Sequence, residues 1–443
     1  MQETFEGKEA GLKRELSVRL LSMIAIGQSI GTGLFLGSGI SVQMAGPGVI
    51  VSYLIGGLIT YFVMLALSEM AAAHPMAGSF GAYAEHYLGP WAGLVTRYTY
   101  SAAQIIAIGG QIVAAAIYCR YWFPDTPSWI WIAGFSVALL AVNVLNVGSF
   151  GEFEYWFSLI KVLAICFLLV FGVVLFVGIG APRRGLEAYT AYGGFFPHGF
   201  GGVWAAVTMA IFSYYGLEAA AVGSGEAKNP KDTVPRALRR IMARLALFYV
   251  GGMAVLVGVV PWNQTGISES PFVLVYRNVG IPGAAALMNF VVLTAALSSI
   301  NTNLYTASRM LFSLARSGQA PALLGRLSAH GVPRNAVLIS GAGLGIAACI
   351  YRFFADTAYV YLLGIALFGA IFCWLMILAT HVRFRKTVVP YGSIAGIIML
   401  FGVLITMVFL PQMRSACLAG IPWLLGISLV YYLKSPARSR NRP

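Results

Sequence analysis

Two ionisable side chains lie inside long apolar stretches, where a charge is costly. Lys161 follows Tyr155–Ile160 and precedes the apolar run Val162–Val170, and Glu218 ends the stretch Phe212–Glu218. An ionised group at the centre of a bilayer costs at least about 2.5–3.5 kcal/mol by insertion scales. Lys161 therefore either snorkels to the interface or faces a cavity where it loses and regains a proton. Glu218 is a proton carrier, a brace for a binding site, or a carboxylate satisfied by the backbone of a broken helix.

Other polar residues give weaker signals. Glu69 and Arg97 lie nearer the ends of their apolar stretches, so we expect Glu69 to be interfacial or to brace a loop. Arg97 either snorkels to the headgroups or has a functional role. The five cysteines and five histidines show no metal-binding, redox or hydrolase spacing. The sequence therefore predicts no metal, no cofactor and no catalytic residues.

A glycine-rich segment predicts a break in the first apolar stretch. Five glycines fall in the thirteen residues from Gly27 to Gly39, and each costs a helix about 1 kcal/mol relative to alanine. In lipid, a broken backbone is tolerated only where it faces protein or a watery cavity. Unwinding at Gly31–Gly33 would offer N–H groups to a carboxylate and, from the preceding half-helix, carbonyls to a cation. The alternative is that these glycines let helices pack closely.

A similar interruption occurs in the sixth apolar stretch, at Ser213–Gly216 and again at Gly223–Gly225. Paired interruptions at corresponding positions are typical of the binding site of a membrane transporter. A site with anion-binding N–H groups beside cation-binding carbonyls fits a zwitterion, and an α-amino acid is the simplest one.

The amino-acid composition predicts that transmembrane helices position these residues. Of 443 residues, 59% are apolar and only 10% are charged, whereas soluble proteins carry about 25% charged residues. This excludes soluble enzymes, nucleic-acid binders and disordered proteins, and it predicts an all-α integral membrane protein. At about 20 residues a span, we predict twelve transmembrane helices, at 20–43, 48–73, 91–118, 128–146, 155–179, 202–224, 241–261, 284–313, 335–351, 357–380, 391–411 and 416–433.

Basic residues set the predicted orientation. With the amino terminus inside, 21 lysines and arginines flank the spans on the cytoplasmic side and 6 lie in the outer loops. Basic residues are retained on the cytoplasmic side. We therefore predict a multi-pass protein of the cell membrane, with a cytoplasmic segment 1–19, a cytoplasmic tail 434–443, no cleaved signal peptide and no nucleic-acid partner.

Motifs along nearly the whole chain resemble those of the bacterial amino acid transporter family of the amino acid–polyamine–organocation superfamily. They are Leu12–Leu16, Ile30–Gly39, Gly78–Phe80 with Tyr83–Ala84, Gly89–Gly93, Glu152–Phe157 with Ile160–Val162, Gly216–Glu218, Gly225–Pro230, Pro235–Ala237, Ser308–Leu311 and Gly331–Pro333.

The resemblance implies two five-helix repeats of inverted topology, at 20–179 and 202–380, followed by two further helices at 391–433, with helices 1 and 6 discontinuous. It also implies alternating access around a central site. The substrate carboxylate would lie at Ser29, Ile30, Gly31, Thr32 and Gly33, and its amino group at the backbone of Phe212, Ser213, Tyr214, Tyr215 and Gly216.

The resemblance also implies roles for the charged residues. Lys161 would replace the sodium ion of sodium-coupled relatives and bridge the first, fifth and eighth helices, near Ser298 and Ser299. Glu218 and Glu226 match acidic positions associated with substrate binding or proton coupling, and Gln104, Tyr214 and Tyr215 are candidate lining residues.

One departure from the family pattern affects both coupling and substrate. Many members have an acidic residue in the middle of the third helix, where this protein has Gln111. An amide takes no proton at physiological pH, so more of the coupling falls on Lys161, and a neutral substrate side chain is favoured. The predicted function is amino acid import by proton-coupled symport. The alternatives are an amino acid/product exchanger of the same fold and, less favoured, an integral-membrane enzyme or a channel.

Overall fold

Helices make up the framework of the protein. The computed structural model describes residues 17–74, 78–145, 147–176, 187, 189–223, 229–329, 331–355, 357–386 and 388–434, and these contain no β-strand. The first six spans are Val18–Ser29 with Gly33–Gly37 (a π-helical turn) and Ser38–Ala45, then Val49–Ala73, Pro90–Cys119, Ser128–Leu145, Val147–Phe176, and Gly199–Tyr214 with Ala219–Val222. The other six are Pro230–Val259, Ala284–Arg316, Arg334–Ser340 with Ala342–Phe353, Ala358–Phe384, Tyr391–Phe409 and Pro411–Lys434.

The prediction of an all-α, multi-pass membrane protein is confirmed. Ten segments among the described residues are long and apolar enough to cross a bilayer, and the first of them, Val18–Ala73, contains both the first and the second span. The fourth span appears as a shorter apolar helix, Ser128–Val144. Each of the twelve predicted segments is therefore helical over most of its described length.

Two helices extend beyond the predicted membrane spans by more than a turn, although the membrane-crossing part of the fifth, Glu154–Leu175, begins one residue from the prediction. The seventh span begins at Pro230 rather than at 241, and the fifth at Val147 rather than at 155. Hydropathy marks the part of a helix that lies in lipid, whereas a helix continues into water as long as its backbone bonds are made. The ninth span is two helices that meet at Gly341.

Arg97 does not snorkel, which corrects one of the two interpretations of this residue. Its side chain is 1% exposed, forms an ion pair with Glu85, and donates to the Ser313 and Ser317 hydroxyls, each at 3.3 Å. Glu85 comes from the short helix Ser79–Leu88 between the second and third spans. That helix packs on the third span, so the guanidinium finds its partners inside the protein.

Glu69 braces the end of the second span, in agreement with one of its expected roles. Its carboxylate lies 2.9 Å from His381 Nε2 and 2.7 Å from an Arg385 guanidinium nitrogen, and both partners lie at the end of the tenth span.

The centre of the protein is built around the third span, which packs most extensively against the eighth and tenth spans. The first span packs against the fifth, seventh and eighth spans, and the sixth packs against the second. The fifth, eleventh and twelfth spans expose apolar side chains on their outer faces, Leu163, Phe401 and Leu425 among them. Such faces suit lipid as the surrounding solvent.

Candidate functional site

The first span is interrupted at mid-length. Its first half-helix ends at Ser29, and Ile30, with φ −79° and ψ 77°, leaves the helical conformation. Helix resumes near Thr32 and passes through the π-helical turn Gly33–Gly37. A Cβ atom at Gly31 would lie 2.5 Å from Ser299 Oγ. Glycine is therefore required here for the close approach of the eighth span.

The sixth span is interrupted between Tyr214 and Ala219. Gly216 lies at φ +112°, and a Cβ atom there would lie 2.6 Å from Gln28 Cγ, so only glycine fits. Glu218 is fully buried, and its Oε2 accepts from the Gly216 N–H at 3.2 Å and from Trp374 Nε1 at 3.4 Å. The backbone of the broken helix therefore supplies one donor to this carboxylate, whose other oxygen, Oε1, is buried without a partner among the described residues.

Tyr249 of the seventh span connects the two interruptions. Its hydroxyl lies 2.8 Å from the Ser29 carbonyl and 2.8 Å from the Ser213 carbonyl, so its single proton is shared between the two carbonyl oxygens. Its ring packs against Tyr214, with centroids 4.6 Å apart. One side chain thus holds the ends of the two half-helices beside each other.

A small cavity lies between the interruptions. It is lined by Gln28, Ser29, Gly31, Thr32, Gly33, Ala107, Gln111, Phe212, Tyr215 and Asn303. Six of the predicted substrate-binding residues are in this set: Ser29, Gly31, Thr32, Gly33, Phe212 and Tyr215. The most exposed lining side chain, Phe212, is 7% exposed, so this conformation keeps the cavity away from bulk water.

The other predicted substrate-binding residues do not line this cavity. They are Ile30, Gln104, Ser213, Tyr214 and Gly216. The Ser213 hydroxyl lies 2.9 Å from the Tyr53 hydroxyl, and Tyr214 donates to the Tyr53 carbonyl at 3.1 Å, so both side chains pack toward the second span. Gln104 is fully buried elsewhere in the core. Glu226, predicted for proton coupling, lies outside the described residues.

Lys161 reaches the end of the first half-helix. It is fully buried, and its Nζ donates to the Gly27 carbonyl at 2.5 Å, which excludes snorkelling. The Ser299 hydroxyl donates to the same carbonyl at 3.0 Å. The ammonium of the fifth span and a hydroxyl of the eighth therefore meet at the negative end of the first half-helix, where a cation is stabilised.

Glu154 is a buried charge to which the sequence analysis gave no role. It is fully buried, accepts from the Ser298 hydroxyl, and accepts from Ser158 Oγ at 3.2 Å and from Asn301 Nδ2 at 3.4 Å. Glu154 precedes Lys161 by seven residues, or two helical turns, and this spacing indicates that the two side chains lie on the same face of the helix. The signal was missed because the predicted fifth span began at residue 155.

The opposite charges of Glu154 and Lys161 both approach Gly27. Lys161 binds the Gly27 carbonyl, and a side chain at Gly27 would collide with Glu154 and Ser158. A buried ion without compensation is strongly destabilising. Glu154 and Lys161 interact electrostatically in this region, and glycine at position 27 leaves room for the carboxylate.

Three carboxamides form a hydrogen-bonded row along the cavity, the carboxamide row Gln28–Asn303–Gln111. Gln28 Nε2 donates to Asn303 Oδ1 at 2.8 Å, and Asn303 Nδ2 donates to Gln111 Oε1 at 3.2 Å. Gln111 had been singled out only as a departure from the family pattern. Gln28 and Asn303 had no sequence signal, because one amide in an apolar stretch does not reveal which way it faces.

The fold, with two interrupted spans around a closed central cavity, defines a class of polytopic membrane protein. Comparison with known proteins gives the family. Residues 21–431 match the model described as amino acid permease. The chain belongs to this family, which confirms the resemblance.

Three relatives match along nearly their whole length. An uncharacterized amino acid permease, YtnA, of Bacillus subtilis (strain 168) is 40% identical, with 96% of this chain and 95% of the relative covered. The gamma-aminobutyric acid permease of the same organism is 39% identical, covering 96% and 94%. The aromatic amino acid transport protein AroP of Escherichia coli (strain K12) is 36% identical, covering 97% of both proteins. These names describe membrane transport of amino acids and related compounds.

Proposed function

We propose that this protein imports an amino acid by alternating access, coupled to protons in symport. The observation that carries the proposal is the meeting of the Lys161 ammonium with the Gly27 carbonyl at the interrupted first span, beside a closed cavity. The relatives support the amino acid as cargo, since their names include an amino acid permease and an aromatic amino acid transport protein. Protons and the lipid bilayer are the other partners.

The two interruptions suit the two charges of the substrate head. The first N–H groups of a helix lack intrahelical acceptors and lie at its positive end. Those that follow the break at Ile30–Gly31 would hold the carboxylate. The last carbonyls of the half-helix that ends at Tyr214 would receive the ammonium, since each carbonyl oxygen has two lone pairs and can accept a second bond beside those from the Tyr215 N–H and the Tyr249 hydroxyl. Phe212 and Tyr215 place this end of the sixth span at the cavity.

Coupling would arise from the charge on Lys161. In the protonated form, Nζ donates to Gly27 and holds the first half-helix against the fifth span. Loss of the proton removes the positive charge from the end of that half-helix, so its attraction to the carbonyl weakens. The half-helix is then freer to move away from the cavity, and one proton travels with each cycle. Glu154 would keep the site electrically balanced in the protonated form.

Proteoliposome uptake tests the coupling. The substrate used is whichever of the twenty amino acids most stabilises the purified protein to heat. With an inward proton gradient, the wild type should accumulate it, and Lys161→Met, which keeps a long side chain without a charge, should lose at least about 90% of the gradient-driven accumulation. Lys386→Met, at the solvent-exposed end of the tenth span, should behave like wild type. Full gradient-driven accumulation by Lys161→Met would contradict the proposal.

The exchanger is separated from the symporter by the same vesicles. A symporter accumulates substrate in vesicles that contain none, provided the gradient is present. An exchanger takes up label only when the vesicles are preloaded with counter-substrate. Uptake that needs preloading and ignores the gradient would replace symport by exchange.

A further inference from the structure

The carboxamide row has two free ends with opposite hydrogen-bonding character. Gln28 Nε2 donates one of its two N–H groups to Asn303, and Gln28 Oε1 is buried without a partner among the described residues. Gln111 accepts from Asn303 through Oε1, which leaves Nε2 as a donor with no partner in the described part of the protein. Gln28 and Gln111 both line the cavity. The row therefore ends in one acceptor and one donor.

The internal bonds couple the orientations of the three amides, so that one free end of the row accepts whenever the other donates. Asn303 lies between the two glutamines, on the eighth span, and uses Oδ1 toward Gln28 and Nδ2 toward Gln111. Rotating one amide by half a turn would place donor against donor or acceptor against acceptor. The three amides are therefore oriented together, because each constrains the next.

A buried polar group without a partner is costly, and sites of this kind discriminate strongly against ligands that leave such groups unpaired. No carboxylate and no basic side chain is among the ten residues that line the cavity. Its polar side chains are three amides and the hydroxyls of Ser29, Thr32 and Tyr215. A neutral group that both donates and accepts fits this lining.

We propose that the cavity selects amino acids with a carboxamide side chain, so that the NH₂ of this amide donates to Gln28 Oε1 and its carbonyl oxygen accepts from Gln111 Nε2. This inference rests on the proposed amino acid transport and adds the class of side chain. Gln28 and Gln111 are specificity-determining residues in this scheme. Asn303 is a positioning residue, since it acts by orienting the other two.

Three substrates of nearly equal shape test the proposal. Asparagine, leucine and aspartate differ at the end of the side chain: an amide, two methyl groups or a carboxylate. Leucine leaves both ends of the row unpaired, and aspartate places a negative charge against the Gln28 oxygen. In thermal-shift titrations of the purified wild type, asparagine or glutamine should bind at least about tenfold more tightly than leucine and aspartate.

Variants at Gln111 test whether the preference for asparagine arises from the carboxamide row. Gln111→Glu keeps an acceptor for Asn303 and loses the free donor, so asparagine affinity should fall about tenfold or more. Gln111→Leu should reduce the preference of asparagine over leucine to near unity. Asn289→Leu removes a buried amide of the eighth span that bonds to the Tyr118 carbonyl, outside the cavity. It should keep the preference for asparagine, although it lowers thermal stability.

The outcomes separate the two proposals. If none of the twenty amino acids stabilises the wild type, the proposed transport function fails. If amino acids bind but leucine equals or exceeds asparagine, only the carboxamide selectivity is overturned. Equal asparagine affinity in wild type and Gln111→Glu would also overturn it.

Discussion

Buried charges in this protein are each held by partners from the surrounding backbone or from other helices. Lys161 donates to Gly27, Glu154 accepts from Ser298, and Glu218 accepts from the Gly216 N–H. Removing one partner of a buried charge costs far more than the net strength of the interaction, because the other group stays desolvated. Substitutions at these residues should therefore alter stability as well as transport.

Glu154→Gln keeps the shape and removes the charge that interacts with Lys161. We expect a fall of several degrees in Tm and loss of most gradient-driven uptake, because the ammonium is left without a nearby carboxylate. Glu152→Gln is the matched control, since Glu152 is exposed on the same span, and it should change neither quantity. Both are measured by thermal melts and proteoliposome uptake. Normal uptake and Tm in Glu154→Gln would show that the carboxylate is dispensable.

Gly216→Ala adds one methyl group at the second interruption. Gly216 combines φ +112° with a close approach to Gln28, so alanine is strained and also collides. We expect loss of substrate-induced stabilisation and a lower Tm. Gly199→Ala separates backbone strain from collision. Gly199 also has a positive φ, +61°, but no atom lies within 4 Å of an added Cβ, so alanine there is strained without a collision. If both variants lose the same amount of Tm and both still bind substrate, the collision with Gln28 is irrelevant.

At the scale of elements, the seventh span holds the two interrupted spans, the first and the sixth, beside each other. Tyr249 belongs to the seventh span. Its hydroxyl lies within hydrogen-bond distance of the Ser29 carbonyl of the first span and of the Ser213 carbonyl of the sixth span. These carbonyls lie at the ends of the half-helices that border the cavity. Movement of either half-helix must break a bond to this hydroxyl.

Tyr249→Phe removes that hydroxyl and keeps the ring. The Ser29 and Ser213 carbonyls lose the one buried proton that they share, so we expect a Tm lower by several degrees and weaker substrate binding. Tyr361→Phe is the control, because the Tyr361 ring packs on Phe354 at the far end of the tenth span. Thermal melts with and without substrate measure both effects. An unchanged substrate shift in Tyr249→Phe would mean that the breaks hold their geometry without it.

At the scale of the whole molecule, the orientation of the protein in the membrane is a prediction from the sequence. The excess of basic residues on one side predicts that both termini are cytoplasmic. A fluorescent protein fused after Pro443 should be fluorescent, whereas alkaline phosphatase at that point should be inactive. Alkaline phosphatase fused after Arg352, which precedes the tenth span, should be active. The reverse pattern would contradict the predicted topology.

The sequence by itself determined how many times the polypeptide enters the membrane and where its helices break. Apolar run length reveals spans, and the glycines around Gly31 and Gly216 mark positions where a continuous helix is unfavourable. It also identified Lys161 as an ionisable residue inside a long apolar stretch, where a charge is costly. These are local properties, and they need no knowledge of neighbouring helices.

Only the tertiary structure decided which faces of the spans meet. Hydropathy measures how apolar a span is, and lipid and protein interior are both apolar, so the rotation of each helix is not encoded in that signal. For this reason Tyr214, a candidate for the cavity, packs toward the second span, and Glu154 joins Lys161 at Gly27. The carboxamide row draws its members from three spans, so its donors and acceptors are aligned only when the first, third and eighth helices are packed together.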